Sequence, residues 1–273
     1  MSAARPTSVP LLRLTPLALA RPGRARRLVE RNLVVYRRGW TYVVSGFFEP
    51  FLYLLSIGVG LGHLVGSQRV GGHPVGYAAF VAPGLLASSA MNGGILDTTY
   101  GLFFKLKYAH TYEAVLSTPL TSADVAVGEV ASAFLRGSVY SAAFLAVMAG
   151  LGLVGSPWAL CCLPIAALVG LAFASLGLAV TAHLRSWQDV DMVALAVLPM
   201  FLFSATFYPL SIYPGAVGWL VRVTPLYQGV VLLRAFDLGA VTPGLWWHAA
   251  YLVVLAGVSL SVAAGRLRRL LVP

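Results

Sequence analysis

An all-α protein threaded several times through a lipid bilayer is the fold class this sequence predicts, and three observations carry the prediction. Hydrophobic residues make up 59% of the 273 and charged residues 10%, against about 45–50% and about 25% in an ordinary soluble domain. Six apolar stretches recur along the chain, each of roughly 20 residues, the length that spans a hydrocarbon layer about 30 Å thick. The 19 Lys and Arg outnumber the 9 Asp and Glu and gather at the ends of those stretches. In hydrocarbon every backbone polar group must be satisfied internally, so stretches of this length are helices. Such a composition excludes a disulfide scaffold, a disordered tail and a conventional soluble enzyme.

Taken in order, residues 1–40 are expected to form a cytoplasmic tail. The patch Leu11–Ala20 is broken by Arg13 and Pro16 and is too short to be a convincing signal peptide or a span. Between Arg24 and Arg38, Leu28, Leu33 and Tyr36 fall near one helical face among arginines, which predicts an amphipathic helix at the membrane interface. The remainder, 41–273, is expected to be a single six-span domain with spans at about 41–65, 77–99, 127–152, 158–182, 191–209 and 245–265. In the first span Gly46, Pro50, Gly58, Gly62 and Gly66 share a stagger with Leu54, predicting a strip that another helix approaches closely. The Gly58–Gly62 stretch lacks the spacing of a dinucleotide fingerprint. Cys161 and Cys162 are adjacent in an apolar run, a placement for packing, with no loop to close and no redox or zinc spacing.

The net charge of +10 would indicate nucleic acid if the basic residues shared a face. At span ends they indicate orientation instead, and no nucleic-acid partner is expected. Lys105, Lys107, Arg185, Arg266, Arg268 and Arg269 fall on the side of the N-terminal arginines, while the opposite loops hold only Arg69, Arg222 and Arg234. The positive-inside rule then puts both termini in the cytoplasm, with Trp40, Tyr42, Trp158 and Trp246 as interfacial anchors.

Two connections depart from simple up-and-down helices. Residues 105–122, KLKYAHTYEAVLSTPLTS, are polar, helix-capable and end at Thr118-Pro119; on the pattern alone they grip a soluble partner or rest on the bilayer. Residues 208–244 are too apolar for a loop and too broken by Pro209, Pro214, Pro225 and Pro243 for one span. They predict two short helices dipping back into the outer leaflet beside a cavity, because irregular backbone at that depth needs protein or water around it.

The chemistry the chain lacks is equally informative. No GxxxxGK[ST] sequence occurs and Lys105 and Lys107 are the only lysines, so ATP has to be handled by another subunit. HExxH is absent and the five histidines are scattered; no metal site is expected. Asp189 and Asp191 form a DxD before the fifth span, which would suit Mg²⁺ in a membrane prenyl- or glycosyltransferase but suits a helix N-terminus as well. Glu49 and Asp97 are carboxylates inside spans, where a charge costs at least about 2.5 kcal/mol unless paired or hydrated. Arg136 is a counter-charge for one of them. Glu49 would also serve a proton-coupled carrier, which needs further buried acids and inverted repeats that the sequence does not display.

Several segments together, EPFLYLLSIGVGLG, HTYEAVLSTPLTSADVAVGE, LVGLAFASLGLAVTA, LPMFLFSATFYPLSIYP and PLYQGVVLLR, resemble the type-2 ABC exporter permeases. The nearest branch is the NodJ-type lipooligosaccharide export permeases, and the resemblance runs in order from about Arg24 to Arg269. It implies a six-span permease in the bacterial inner (plasma) membrane, paired with a second copy and with two ATP-binding cassette subunits that hold ATP and Mg²⁺; this chain would bind no cofactor and catalyse no reaction itself. It also implies an N-terminal interface helix, outer re-entrant helices, and a coupling helix within about 105–122. Carried over by position, Thr111, Tyr112, Glu113, Thr118 and Pro119 lie in that helix, with Lys105, Lys107 and His110 leading into it. Spans one and five would line the cargo route, bringing Phe47, Glu49, Phe51, Phe201, Phe207 and Tyr208 to an amphiphile such as a lipid-linked oligosaccharide, a polysaccharide or a drug-like molecule.

Overall fold

In the computed structural model the described residues are 26–33, 48, 51–70, 73–109, 111–116 and 118–271. Helix α1 covers 26–33 and α2 covers 51–65, with a π-helical stretch at Leu54–Gly60. A small antiparallel hairpin follows, β1 (Ser67–Val70) with β2 (His73–Gly76), in register from Ser67 opposite Gly76 to Val70 opposite His73. Then come α3 (Tyr77–Lys107), α4 (Thr111–Leu116), α5 (Ser122–Gly150), α6 (Pro157–Thr181), α7 (Trp187–Leu202), α8 (Gly215–Val223), α9 (Pro225–Asp237) and α10 (Trp246–Leu271).

Among the described residues four helical segments, α3, α5, α6 and Pro243–Leu270, are long and apolar enough to cross a membrane. The pair α8–α9, bent by 83°, brings that to five if it counts as one broken span. The four match spans two, three, four and six of the sequence reading. The first expected span is described only at residue 48 and from 51 onward.

Three expectations need correction. The fifth span was placed at 191–209, whereas α7 starts at Trp187 and stops at Leu202 after 16 residues. Ser186 and Asp189 cap its start reciprocally, and beyond its end Ala205 adopts φ 57°, a left-handed conformation no helix can continue through. The second span does not stop at 99: a π-helical turn at Asp97–Gly101 carries it on to Lys107. In α1, Leu28 is buried at 3% exposure while Leu33 is 48% exposed. Five residues at 3.6 per turn put them about 140° apart, so the inward face is Leu28 with Asn32. Tyr36 lies outside the described residues.

Helix α6 sits at the centre, against α3, α5 and α10. Glycine makes this possible. A Cβ on Gly94 of α3 would stand 2.5 Å from the carbonyl oxygen of Gly170 in α6, and one on Gly93 would stand 3.0 Å from Gly137 Cα in α5. Both neighbours are backbone, which cannot swing aside. The Gly94→Leu variant is therefore expected to force α3 off α6 and destabilise the protein by more than about 3 kcal/mol, the upper range for ordinary overpacking, read by thermal unfolding in detergent. Along the glycine strip expected on α2, nothing among the described residues lies within 4 Å of where a Cβ on Gly62 or Gly66 would be, although α2 packs on α3 and Leu54 is fully buried. Gly66, at φ 71°, ends the helix. Gly46 and Pro50 lie outside the described residues.

The apolar interior is divided. A larger core gathers Leu85, Leu86, Met91, Phe144, Phe173 and Leu226, and a second gathers Leu28, Leu102, Tyr112, Val125, Leu178 and Leu267. The alternating helix directions bring Lys107, Arg185 and Arg268 to the end that holds the second core, and the exposed Trp158, Trp219, Trp246 and Trp247 to the other.

Candidate functional site

Between the two cores lies a buried ion pair. Arg136 Nη2 of α5 is 2.6 Å from Asp97 Oδ1, where the π-helical turn of α3 begins. Arg136 is thus the counter-charge of Asp97, and its guanidinium also lies 5.9 Å from the Tyr140 ring centroid. Glu49 lies outside the described residues.

At the basic end the connection 105–122 folds inward. Among the described residues between the end of α3 at Lys107 and the start of α5 at Ser122, Thr111–Leu116 is helical, six residues long. Lys107, Thr118 and Pro119 are exposed, Thr111 is half-buried, and Thr118 Oγ1 donates to Val115 O at 2.5 Å. His110 and the Glu113 side chain lie outside the described residues. Tyr112 is 1% exposed, and its hydroxyl donates to Glu129 Oε1 of α5 at 2.9 Å. Burial, then the neighbouring Glu129 carboxylate, hold its phenol well above the ordinary value of 10.0. Lys105 Nζ donates to Glu129 Oε2 at 2.7 Å, and Asn32 Nδ2 reaches the same oxygen at 3.2 Å and Ser132 Oγ at 3.0 Å. Arg31 Nη2 stands 3.6 Å from Glu129 Oε1. The sequence reading weighed Glu49 and Asp97 as carboxylates in spans and missed Glu129. Its signal was an acid two residues inside the expected start of span three.

The third feature is a cavity of about 390 Å³ between α2, the start of α3 and the segment after α7. Of the residues expected along a cargo route, Phe201, Phe207 and Tyr208 line it. Phe51 instead meets Phe48 edge-on, with ring centroids 6.5 Å apart, and Phe47 is not described. Tyr53, Tyr77 and Tyr213 line it too, and the sequence reading had singled out none of them. Tyr53 lies 5.5 Å from Phe201, which lies 5.1 Å from Phe207. Tyr77 donates to Phe207 O at 3.4 Å.

One cation fixes this wall. Arg234 of α9 donates from Nη2 to Ala205 O at 2.9 Å and Thr206 O at 3.2 Å, and from Nε to Phe80 O at 3.1 Å, with its guanidinium 3.9 Å from the Phe80 ring centroid. Ser204 and Thr206 share a hydrogen bond of 2.7 Å. The left-handed turn at Ala205 is thereby clamped between α9 and α3. Arg234 had been read only as a loop charge.

Asp189 is occupied as a helix cap. Its carboxylate accepts from the amides of Arg185 at 2.8 Å and Ser186 at 3.0 Å, which hold it below the usual carboxylate range. Asp191 is exposed, and among the described residues no group of three or more His, Cys, Asp or Glu is placed to hold a metal.

Helices of membrane length, an aromatic cavity beside them and a polar connection tied in at the basic end define a polytopic membrane protein. Residues 24–238 match the ABC-2 type transporter family, and the chain belongs to it as a transmembrane permease subunit. It is similar to Nodulation protein J of Rhizobium meliloti, 33% identical over 246 residues that cover 89% of this chain and 92% of the relative. It is similar also to Nodulation protein J of Rhizobium leguminosarum bv. viciae, 34% identical over 242 residues (88% and 92%), and of Bradyrhizobium diazoefficiens, 30% identical over 242 residues (88% and 91%).

Proposed function

We propose that the chain is the permease half of an ATP-driven exporter that moves an amphiphile, such as a lipid-linked oligosaccharide, across the bacterial inner membrane. The observation that supports it most is the cavity beside α2 and α7. Aromatic faces suit the C–H faces of sugar rings and the start of an acyl chain, and phenol hydroxyls suit the polar head. In this reading residues 41–273 form six spans, with α2 and α7 in the first and fifth, and residues 1–40 hold the tail and interface helix. A second copy completes the route. Two ATP-binding subunits carry ATP with its Mg²⁺ and press on the connection around α4, where Lys107, Thr111, Thr118 and Pro119, with His110 and Glu113, meet them. The gathering of Lys107, Arg185 and Arg268 supports a cytoplasmic basic end and cytoplasmic termini.

Co-expression with a Walker-motif ATPase encoded beside this chain is expected to give a stable complex that exports cargo. No association would end the proposal. Within the cavity, the double variant Tyr53→Ala/Phe201→Ala is expected to weaken binding of a fluorescent lipooligosaccharide by about tenfold, the scale of one or two lost aromatic contacts. Unchanged affinity in detergent would remove the cavity from the route.

A further inference from the structure

We infer that Glu129 is the positioning residue that fastens the connection around α4 to α5, so that the two travel as one rigid body while an attached ATPase works. The inference rests on the exporter reading above. Glu129 lies seven residues beyond Ser122, the first residue of α5, or about 10 Å along the helix, and is 6% exposed. A carboxylate at that depth is tolerated only if its oxygens are paired. They are paired to three other elements: Oε1 to Tyr112 of α4, and Oε2 to Lys105 at the end of α3 and Asn32 of α1. Hydrogen bonds to an ionised acceptor are roughly twice as strong as neutral ones, and these lie in the small apolar core formed by Leu28, Leu102 and Val125.

Geometry makes the tie stiff. Residues 108–110 are all that separate α3 from α4, and 117–121 all that separate α4 from α5. Thr121 is fixed in its turn, its amide donating to Asp124 Oδ2 at 2.9 Å while its hydroxyl accepts from the Asp124 amide at 3.2 Å. A segment tethered at both ends and bonded at its middle has little slack. Pressure on Thr118 or Pro119 therefore displaces α5 itself.

The experiment measures that stiffness in the assembled transporter. Spin labels are placed at Thr118→Cys and Leu151→Cys, both exposed, in a chain carrying Cys161→Ala and Cys162→Ala. Their separation is recorded without nucleotide and with ATP and vanadate. With Glu129 present, one narrow distance is expected in both states. With Glu129→Gln, the distance is expected to shift or broaden on trapping while ATP hydrolysis persists. A purely structural Glu129 would lower the unfolding temperature and leave the distance equal in both states. A parent distance that changes between states, or a Glu129→Gln distance that does not, overturns the inference and leaves the exporter reading standing. Should Glu129→Gln fail to assemble, Tyr112→Phe, which removes one hydroxyl, is expected to broaden the distance, and an unchanged distance there overturns the inference equally. An unlabelled wild-type chain that binds no ATP-binding subunit overturns the exporter reading and this inference together.

Discussion

Replacing Arg136 with methionine is expected to destabilise the protein by about 3–5 kcal/mol, the range found when one partner of a buried ion pair is removed. The Asp97 carboxylate loses a cation 2.6 Å away, in a helix of membrane length where water offers little compensation. The double variant Asp97→Leu/Arg136→Met is expected to recover most of that loss, since well-packed apolar side chains replace a buried pair at little net cost. Thermal unfolding of the detergent-solubilised protein measures both. If the double variant were no more stable than Arg136→Met, the pair would not be the reason for the loss. Arg136→Lys is expected to fall between them, because an ammonium keeps the charge without the planar fork.

Arg234→Leu is expected to cost both stability and cargo affinity. The guanidinium serves three backbone carbonyls, those of Phe80, Ala205 and Thr206, and a buried acceptor left unpaired costs about 1–3 kcal/mol. Phe80 O keeps its helical amide partner in α3, so the carbonyls of Ala205 and Thr206 set the loss, at least about 2 kcal/mol. It is also expected to lose the cavity wall, because the turn at Ala205 positions Phe201 and Phe207 on either side of it. Arg234→Lys retains the charge but reaches fewer of the carbonyls, so stability recovers in part and cargo affinity recovers less. Unfolding and lipooligosaccharide binding on the same samples separate the two effects. Wild-type affinity in Arg234→Leu would show that the wall stands without its clamp.

The spans were legible where hydrophobicity and structure coincide. Helices α3, α5, α6 and α10 are apolar runs bounded by polar or proline residues, and a bilayer leaves such runs one solution. The fifth span was misjudged because Phe203–Tyr208 carry no charge and continue the run with three aromatic residues; hydropathy registers the solvent of a residue, and the positive φ at Ala205 is a fact of backbone geometry. That Arg136 would answer either Glu49 or Asp97 followed from the cost of charge in a span; that its partner is Asp97 came from the structure. Glu129 did not follow, because Asn32 is 97 residues away from it in sequence and no local pattern brings them together. Leu28 and Leu33 were assigned to one face by reading spacing too loosely. In the cavity, Phe201, Phe207 and Tyr208 came from the family resemblance, whereas Tyr53 and Tyr77 belong to it only through tertiary proximity.

The inward fold of the polar connection also limits what it can offer a motor. A helix of six residues is about 9 Å long, and with Tyr112 turned away its footprint is far smaller than the roughly 800 Å² per partner of a durable contact. A motor that stays attached through a full stroke needs a broader foothold. Helix α1 is adjacent: its Arg27 and Arg31 share with Thr111 and Val115 a cleft of about 330 Å³. On the exporter reading, the handle offered to a motor is therefore composite, assembled from stretches that lie some 80 residues apart along the chain, and it exists only once the chain has folded.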